Sequence, residues 1–207
     1  MDKVKFSGEK VLPEREGRTT EGGGRVQHFN VNRKEKAMDI RIAGTVNDSI
    51  VDGEGFRFTI FTQGCPHNCK GCHNPQTHDF SGGSITTEDE LLEKIKANPL
   101  LDGVTFSGGE PFFQAEALAS LGKKIPALGG LNIVTYTGYT FEELLAGMEN
   151  NPSWQDLLSE TDILIDGRFE ESLKSYDVRF RGSTNQRYLD AKESLRQKKA
   201  VDATLPE

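Results

Sequence analysis

Apolar residues recur along this chain with two periods, and each period marks one kind of element. Ile40, Ile42 and Val46 alternate with polar neighbours and predict a strand or edge segment from Met38 onward. A loop at 47–55 follows, with the turn chemistry of Asp52-Gly53-Glu54-Gly55. Residues 56–62, rich in aromatic and β-branched side chains, predict a second strand. Thr87-Glu88-Asp89-Glu90 has the pattern of a capping box, and behind it Leu91, Leu92 and Ile95 share one helical face until Asn98-Pro99. Residues 103–107 form a short apolar strand. A helix over about 113–128 carries Ala117, Leu118, Leu121, Ile125 and Leu128 on its inner side, with Pro126 ending or kinking its last turn. Strands at 131–136 and 161–166 bracket a helix capped by Thr140-Phe141-Glu142-Glu143 and a short helix at 153–159. A last strand is predicted at 187–190.

Strands that alternate with helices at this spacing predict an α/β fold with parallel strands. The polar and glycine-rich signals fall where strands end: a cysteine loop after Phe61, Gly108-Gly109-Glu110-Pro111 after Phe106, Thr137-Gly138-Tyr139 after Tyr136, and Asp166-Gly167 after Ile165. Loops at the carboxyl ends of parallel strands converge on one face, which is where such folds place their sites. Four or five such strands cannot close a ring, so the expected architecture is a partial, open parallel β/α barrel.

Composition divides the chain. Residues 1–36 are rich in Gly, Glu, Arg and Lys, with little apolar periodicity beyond a weak strand pattern at 26–31. They carry nine Lys or Arg against six Asp or Glu, and the remainder carries sixteen against twenty-six. A segment of that kind cannot bury enough surface to offset chain entropy, so 1–36 is expected to be a flexible extension, 37–190 the core domain and 191–207 a charged tail. The acidic body argues against general nucleic-acid binding, which needs clustered positive charge. No stretch resembles a membrane span or signal peptide, and three closely spaced cysteines do not make a disulfide framework. A reducing, cytoplasmic setting is expected.

Those cysteines, Cys65, Cys69 and Cys72, are the only ones in the 207 residues, and His73 follows at once. Soft thiolates select iron–sulfur clusters, zinc or copper(I). A structural zinc site completed by His67, His73 or His78 is one reading, and cysteines without a metal are another. Ligands within eight residues give zinc little to tie together. A [4Fe–4S] cube on three cysteines leaves one iron open to a non-protein ligand. Gly108-Gly109-Glu110 would alone be an ordinary strand-to-helix turn, but its place after the strand beyond the cysteine loop makes it a ligand platform, because glycine lets a ligand approach the backbone. Asp166 reads as a strand-end turn residue ahead of a contact to a partner, and Tyr136 and Tyr139 read as packing residues.

Together these motifs resemble the radical S-adenosylmethionine superfamily, through the C-x3-C-x2-C loop and the following Gly-Gly-Glu. More narrowly, Asp52-Gly53-Glu54-Gly55, Gln63-Gly64-Cys65-Pro66, Gly71-Cys72-His73-Asn74-Pro75, Tyr136-Thr137-Gly138-Tyr139, Asp166-Gly167-Arg168-Phe169 and the run Arg181-Gly182-Ser183-Thr184-Asn185-Gln186 resemble the activating proteins of anaerobic ribonucleoside-triphosphate reductases, over about residues 38–190. The resemblance implies a radical SAM barrel in which Cys65, Cys69 and Cys72 hold a [4Fe–4S] cluster whose fourth iron binds S-adenosyl-L-methionine. Gly108, Gly109 and Glu110 would line the methionine end, and Gly71 and His73, flanking Cys72, would lie near the adenine. It further implies reductive cleavage to a 5′-deoxyadenosyl radical that abstracts hydrogen from a glycine of the reductase, with a one-electron donor such as flavodoxin. The alternatives are activation of another glycyl radical enzyme of the formate acetyltransferase type, and a zinc-binding interaction module without turnover. The sequence departs from the wider pattern at Gly71, His73 and His78, where aromatic residues are usual, and the extension 1–36 has no counterpart in short members.

Overall fold

The computed structural model describes residues 37–205, so the extension at 1–36, with its weak strand pattern, lies outside the described residues. Among these, seven strands form one sheet: β1 (Asp39–Ser49), β2 (Arg57–Thr62), β3 (Ser84–Thr87), β4 (Gly103–Gly108), β5 (Asn132–Tyr136), β6 (Ile163–Asp166) and β7 (Arg187–Asp190). Their order is β3-β1-β2-β4-β5-β6-β7. The four central strands β2, β4, β5 and β6 pair in parallel, while β1, β3 and β7 pair antiparallel at the flanks. The sheet is open, with β3 and β7 as its edges. The mixed α/β class follows the alternation in the sequence.

The helices are α1 (Glu88–Lys96), α2 (Ala115–Lys124), α3 (Phe141–Gly147), α4 (Pro152–Glu160) and α5 (Ala191–Gln197). Capping boxes open α1 at Thr87 and α3 at Thr140, in each case with the Glu three residues on bonding back to the cap. The single helix expected over 113–128 is three pieces: a 3-10 turn at Pro111–Gln114, then α2, then a 3-10 turn at Pro126–Leu128. Pro126 has no N–H for a helical bond and ends the regular helix. The four-residue β3 escaped the sequence pattern because it is made by pairing with β1, Ile40 opposite Thr86. After α5 the chain returns to β7, where Asp190 N–H donates to Val201 O (3.0 Å) and Ala203 N–H to Tyr188 O (2.9 Å).

Strand alternation sorts the two faces of the sheet. Phe58, Ile60, Val104, Phe106, Ile133, Leu164 and Leu189 join the main core with Leu91, Ile95, Leu118, Leu121, Leu144, Leu157 and Leu158 of the helices. Each such buried side chain stabilises the layer by about 1.5–3 kcal/mol. Val134, Ile165 and Tyr188 belong to a second, smaller cluster with Tyr136, Phe180, Ala203 and Leu205. All five helices therefore contribute to one core, and loops cover the other face.

Arg57 sits at the start of β2 and is fully buried. Its Nε donates to Thr105 Oγ1 (2.6 Å), Nη1 to Glu54 O (2.9 Å), and Nη2 to Val104 O (2.7 Å) and Asn132 O (3.3 Å). Desolvation pushes its pKa down to about 10. Thr105 Oγ1 in turn donates to Asp52 O (2.8 Å), so the Asp-Gly-Glu-Gly loop is folded around this guanidinium. Gly53 is needed there: at φ +134° a Cβ would stand 2.7 Å from Arg57 Cδ.

Candidate metal centre

The cysteine loop leaves the end of β2 and is closed by protein groups alone. Gly64 N–H donates to Thr77 O (2.8 Å) and Cys65 N–H to His78 O (3.2 Å), so the loop's two ends pair. Gln63, buried behind it, donates through Nε2 to Gln76 O (3.1 Å) and Asp79 O (2.6 Å). Inside the loop Cys72 N–H donates to Cys69 O (3.2 Å), and Asn74 N–H points at Cys72 Sγ (3.4 Å). All three thiols are free and half-buried. Burial raises the pKa values of Cys65 and Cys69, so metal loading has to drive protons off both.

Cys65, Cys69 and Cys72 line one cavity of about 790 Å³, together with His73, Ser107, Gly108, Gly109, Thr137 and Gly138. That volume suits a small-molecule ligand. Among the described residues no three His, Cys, Asp or Glu side chains converge as a single-ion site. An iron–sulfur cluster asks for no such convergence, because each thiolate binds its own iron. An all-thiol donor set on the wall of a ligand-sized cavity fits a cluster with one iron facing the cavity.

Of the residues singled out from the sequence, the three cysteines, His73, Gly108 and Gly109 meet on this cavity, whereas Gly71 and Glu110 are not among its lining residues. Gly71, at φ +72°, backs onto Glu171 and Phe169. His73 packs against Phe169 with ring centroids 5.1 Å apart. Glu110 is fully buried. Its Oε1 accepts from Phe112 N–H (3.0 Å) and Thr137 Oγ1 (2.9 Å), and its Oε2 accepts from Gly138 N–H (2.9 Å) and lies 2.7 Å from His67 Nε2. In the sequence His67 reads only as a candidate metal ligand, and Thr137 only as part of a loop. Both partners are tens of residues from Glu110 in the chain, so no local spacing could reveal them.

The other loops are braced as closely. Asp166 is buried, accepts Phe141 N–H (2.7 Å) at the start of α3, and pairs with Arg187, which also pairs with Glu142. Asp166 is thus a strand-end cap, and these carboxylates raise the pKa of Arg187. In the Arg-Gly-Ser-Thr-Asn-Gln run, Gln186 Oε1 accepts Gly182 N–H (2.8 Å) and its Nε2 donates to Gly167 O (2.9 Å), while Asn185 Nδ2 donates to Arg168 O (2.8 Å). Tyr136 Oη donates to Phe180 O (2.7 Å) from a half-buried ring.

Gly109 shows how tightly the first two loops meet. Glu110 N–H donates to Gly64 O (2.9 Å), and a Cβ on Gly109 would lie 2.4 Å from that same oxygen. Gly109→Ala is expected to destabilise the protein by about 1–3 kcal/mol through this backbone clash. Gly44→Ala, where nothing lies within 4 Å of the new Cβ, serves as the control in thermal unfolding. Equal melting temperatures for the two variants would contradict the contact.

Fold, donor set and sequence agree on class: the chain belongs to the 4Fe-4S single cluster domain family, whose family model matches residues 51–189. Within that class it is similar to the anaerobic ribonucleoside-triphosphate reductase-activating protein of Vibrio cholerae, 35% identical over 144 residues that cover 66% of this chain and 89% of that protein. The protein of the same name from Haemophilus influenzae is 33% identical over 146 residues, with 66% and 89% covered. The pyruvate formate-lyase-activating enzyme of Clostridium pasteurianum is 34% identical over 130 residues, which cover 60% of this chain and 50% of that enzyme.

Proposed function

We propose that this chain is the radical S-adenosylmethionine enzyme that installs the glycyl radical on an anaerobic ribonucleoside-triphosphate reductase. The observation that carries the reading is the shared cavity, with three free thiols on one wall and the Gly108-Gly109 turn on another. Similarity to activating proteins over most of their length supplies the partner. The open sheet with four parallel central strands and its helices packed into one core supports the partial barrel expected of that superfamily.

When bound, the cluster supplies the electron that cleaves S-adenosylmethionine, and with it the radical chemistry that takes a hydrogen atom from the reductase. The chain's own groups do the holding. Cys65, Cys69 and Cys72 would hold the cluster, and the Gly108-Gly109 backbone would receive the methionine end, where the absence of side chains permits close approach. His73, packed on Phe169, would close the adenine end. Phe61, Tyr136 and Phe180 also line the cavity and keep water from a reactive intermediate.

The cavity mouth supports a protein substrate. Ile50, Val51 and Tyr176 line the cavity yet stand 66%, 71% and 89% exposed. A partner loop that enters between them would cover this apolar surface. Among the described residues no helix is long and apolar enough to cross a membrane. The setting is a reducing cytoplasm with a flavodoxin-type one-electron donor.

Anaerobic reconstitution with iron and sulfide, then reduction by dithionite with S-adenosylmethionine present, is expected to yield 5′-deoxyadenosine and methionine. With the reductase added, a glycyl radical signal is expected by electron paramagnetic resonance. A colourless zinc protein that makes no 5′-deoxyadenosine would overturn the reading. The similarity to a pyruvate formate-lyase-activating enzyme keeps that lyase as the second target; a radical on the lyase and none on the reductase would decide for it. Val51→Asp is expected to keep cleavage and lose the partner's radical signal, because it charges the mouth and leaves the cluster loop untouched.

A further inference from the structure

Three of the site's loops meet at one buried carboxylate. Glu110 is 0% exposed, and its two oxygens face four protein groups: Phe112 N–H, Thr137 Oγ1, Gly138 N–H and His67 Nε2. An ionised carboxylate has about four lone-pair sites, so none is left over for a ligand. The His67 side chain, 5% exposed, comes from the cysteine loop between Cys65 and Cys69. Arg168 Nε donates to His67 Nδ1 (3.3 Å), which leaves Nε2 as the N–H facing Glu110. Protein packs the imidazole on two further sides, and elsewhere the residue lines the cavity beside the cysteines. Tyr139 packs edge-on at 4.6 Å, and a Cβ at Gly138 would come within 2.3 Å of the ring.

We propose that Glu110 and His67 form a clamp that positions the cysteine loop against the Gly108-Gly109 turn, and that the Glu110 carboxylate does this without touching the cosubstrate. The proposal rests on the functional reading above and deepens it. The backbone of Gly108 and Gly109 would face the methionine end, while Glu110 is not among the cavity's lining residues and sits behind three that are, His67, Thr137 and Gly138, holding the loop that carries the thiols. His67 is then a positioning residue, as is Glu110. Charge alone does not define the clamp: in Glu110→Gln either amide orientation sets an NH2 against at least one backbone N–H that now donates to Glu110.

Two readouts test it. In the metal-free protein, hydrogen exchange at Gly138 N–H is expected to speed up in both His67→Ala and Glu110→Gln, and to return toward wild type in His67→Gln, whose amide can donate to Glu110 and accept from Arg168. In the cluster-loaded protein, the dissociation constant for S-adenosylmethionine, followed by the change in the reduced cluster's paramagnetic resonance signal, is expected to rise by about tenfold in each single variant, the coupling usual for groups in one hydrogen-bond network. The double variant should bind no worse than either single one, and His67→Gln should bind like wild type. If Glu110→Gln weakens binding while His67→Ala binds normally and keeps Gly138 protected, Glu110 is a direct ligand and the clamp is wrong. Additive losses in the double variant would overturn it equally. Should Glu110→Gln fail to fold, His67→Ala and its rescue by Gln decide the matter with Glu110 intact. A wild-type protein that binds no S-adenosylmethionine would sink the functional reading, and the exchange measurements would still judge the clamp.

Discussion

Cys69→Ala is expected to lose the cluster and all cleavage of S-adenosylmethionine. Cys69 is the middle ligand of the proposed three, and two remaining thiolates cannot hold a cube that already has one iron without a protein ligand. Iron and sulfide per chain should fall to background after anaerobic reconstitution, and the brown absorbance should vanish. The metal-free variant should nevertheless melt within about 2 °C of wild type. Cys69 is half-buried in a loop closed by other residues, and such substitutions stay near ±0.5 kcal/mol. A variant that keeps its iron would remove Cys69 from the ligand set; one that unfolds would show that the loop depends on it for more than metal.

Arg57→Ala should produce the largest loss of stability, at a position far in chemistry from the cysteines. The substitution empties a fully buried site and strips donors from Thr105 Oγ1 and from the carbonyls of Glu54 and Val104. A cavity of this kind and several orphaned acceptors together cost about 4 kcal/mol or more. For a unit of this size that corresponds to a fall in melting temperature of about 8–16 °C. Arg57→Lys should recover only part, because a single ammonium cannot reproduce a fork that reaches two strands and a loop. A drop under about 2 °C in Arg57→Ala would mean that water or the Asp-Gly-Glu-Gly loop replaces the guanidinium without cost.

The sequence carried the parallel strands well, because β2, β4, β5 and β6 are short apolar runs bounded by turn residues, and the caps at Thr87 and Thr140 are local signals. It carried the gathering of the three cysteines on one cavity, since their spacing lies within eight residues. It did not carry β3, whose four residues become a strand only beside β1. Nor did it carry the 3-10 turn at Pro111–Gln114, although Pro126 ends the regular helix as its missing N–H led one to expect. The network at Glu110 was illegible for a different reason: its distant partners come from the ends of two other strands, β2 and β5, and only the sheet brings them together. Arg57 was hidden for the same reason, inside a strand where an arginine reads as an exposed position.

The way the cysteine loop is shut has a consequence for life in air. Its closure uses Gly64 with Thr77, Cys65 with His78, and the Gln63 amide across the loop, all bonds between protein groups. Oxygen that strips iron from such a loop destroys the cargo and spares the container. An oxidised, bleached molecule would need only fresh iron, sulfide and reductant, and no refolding, to return to service.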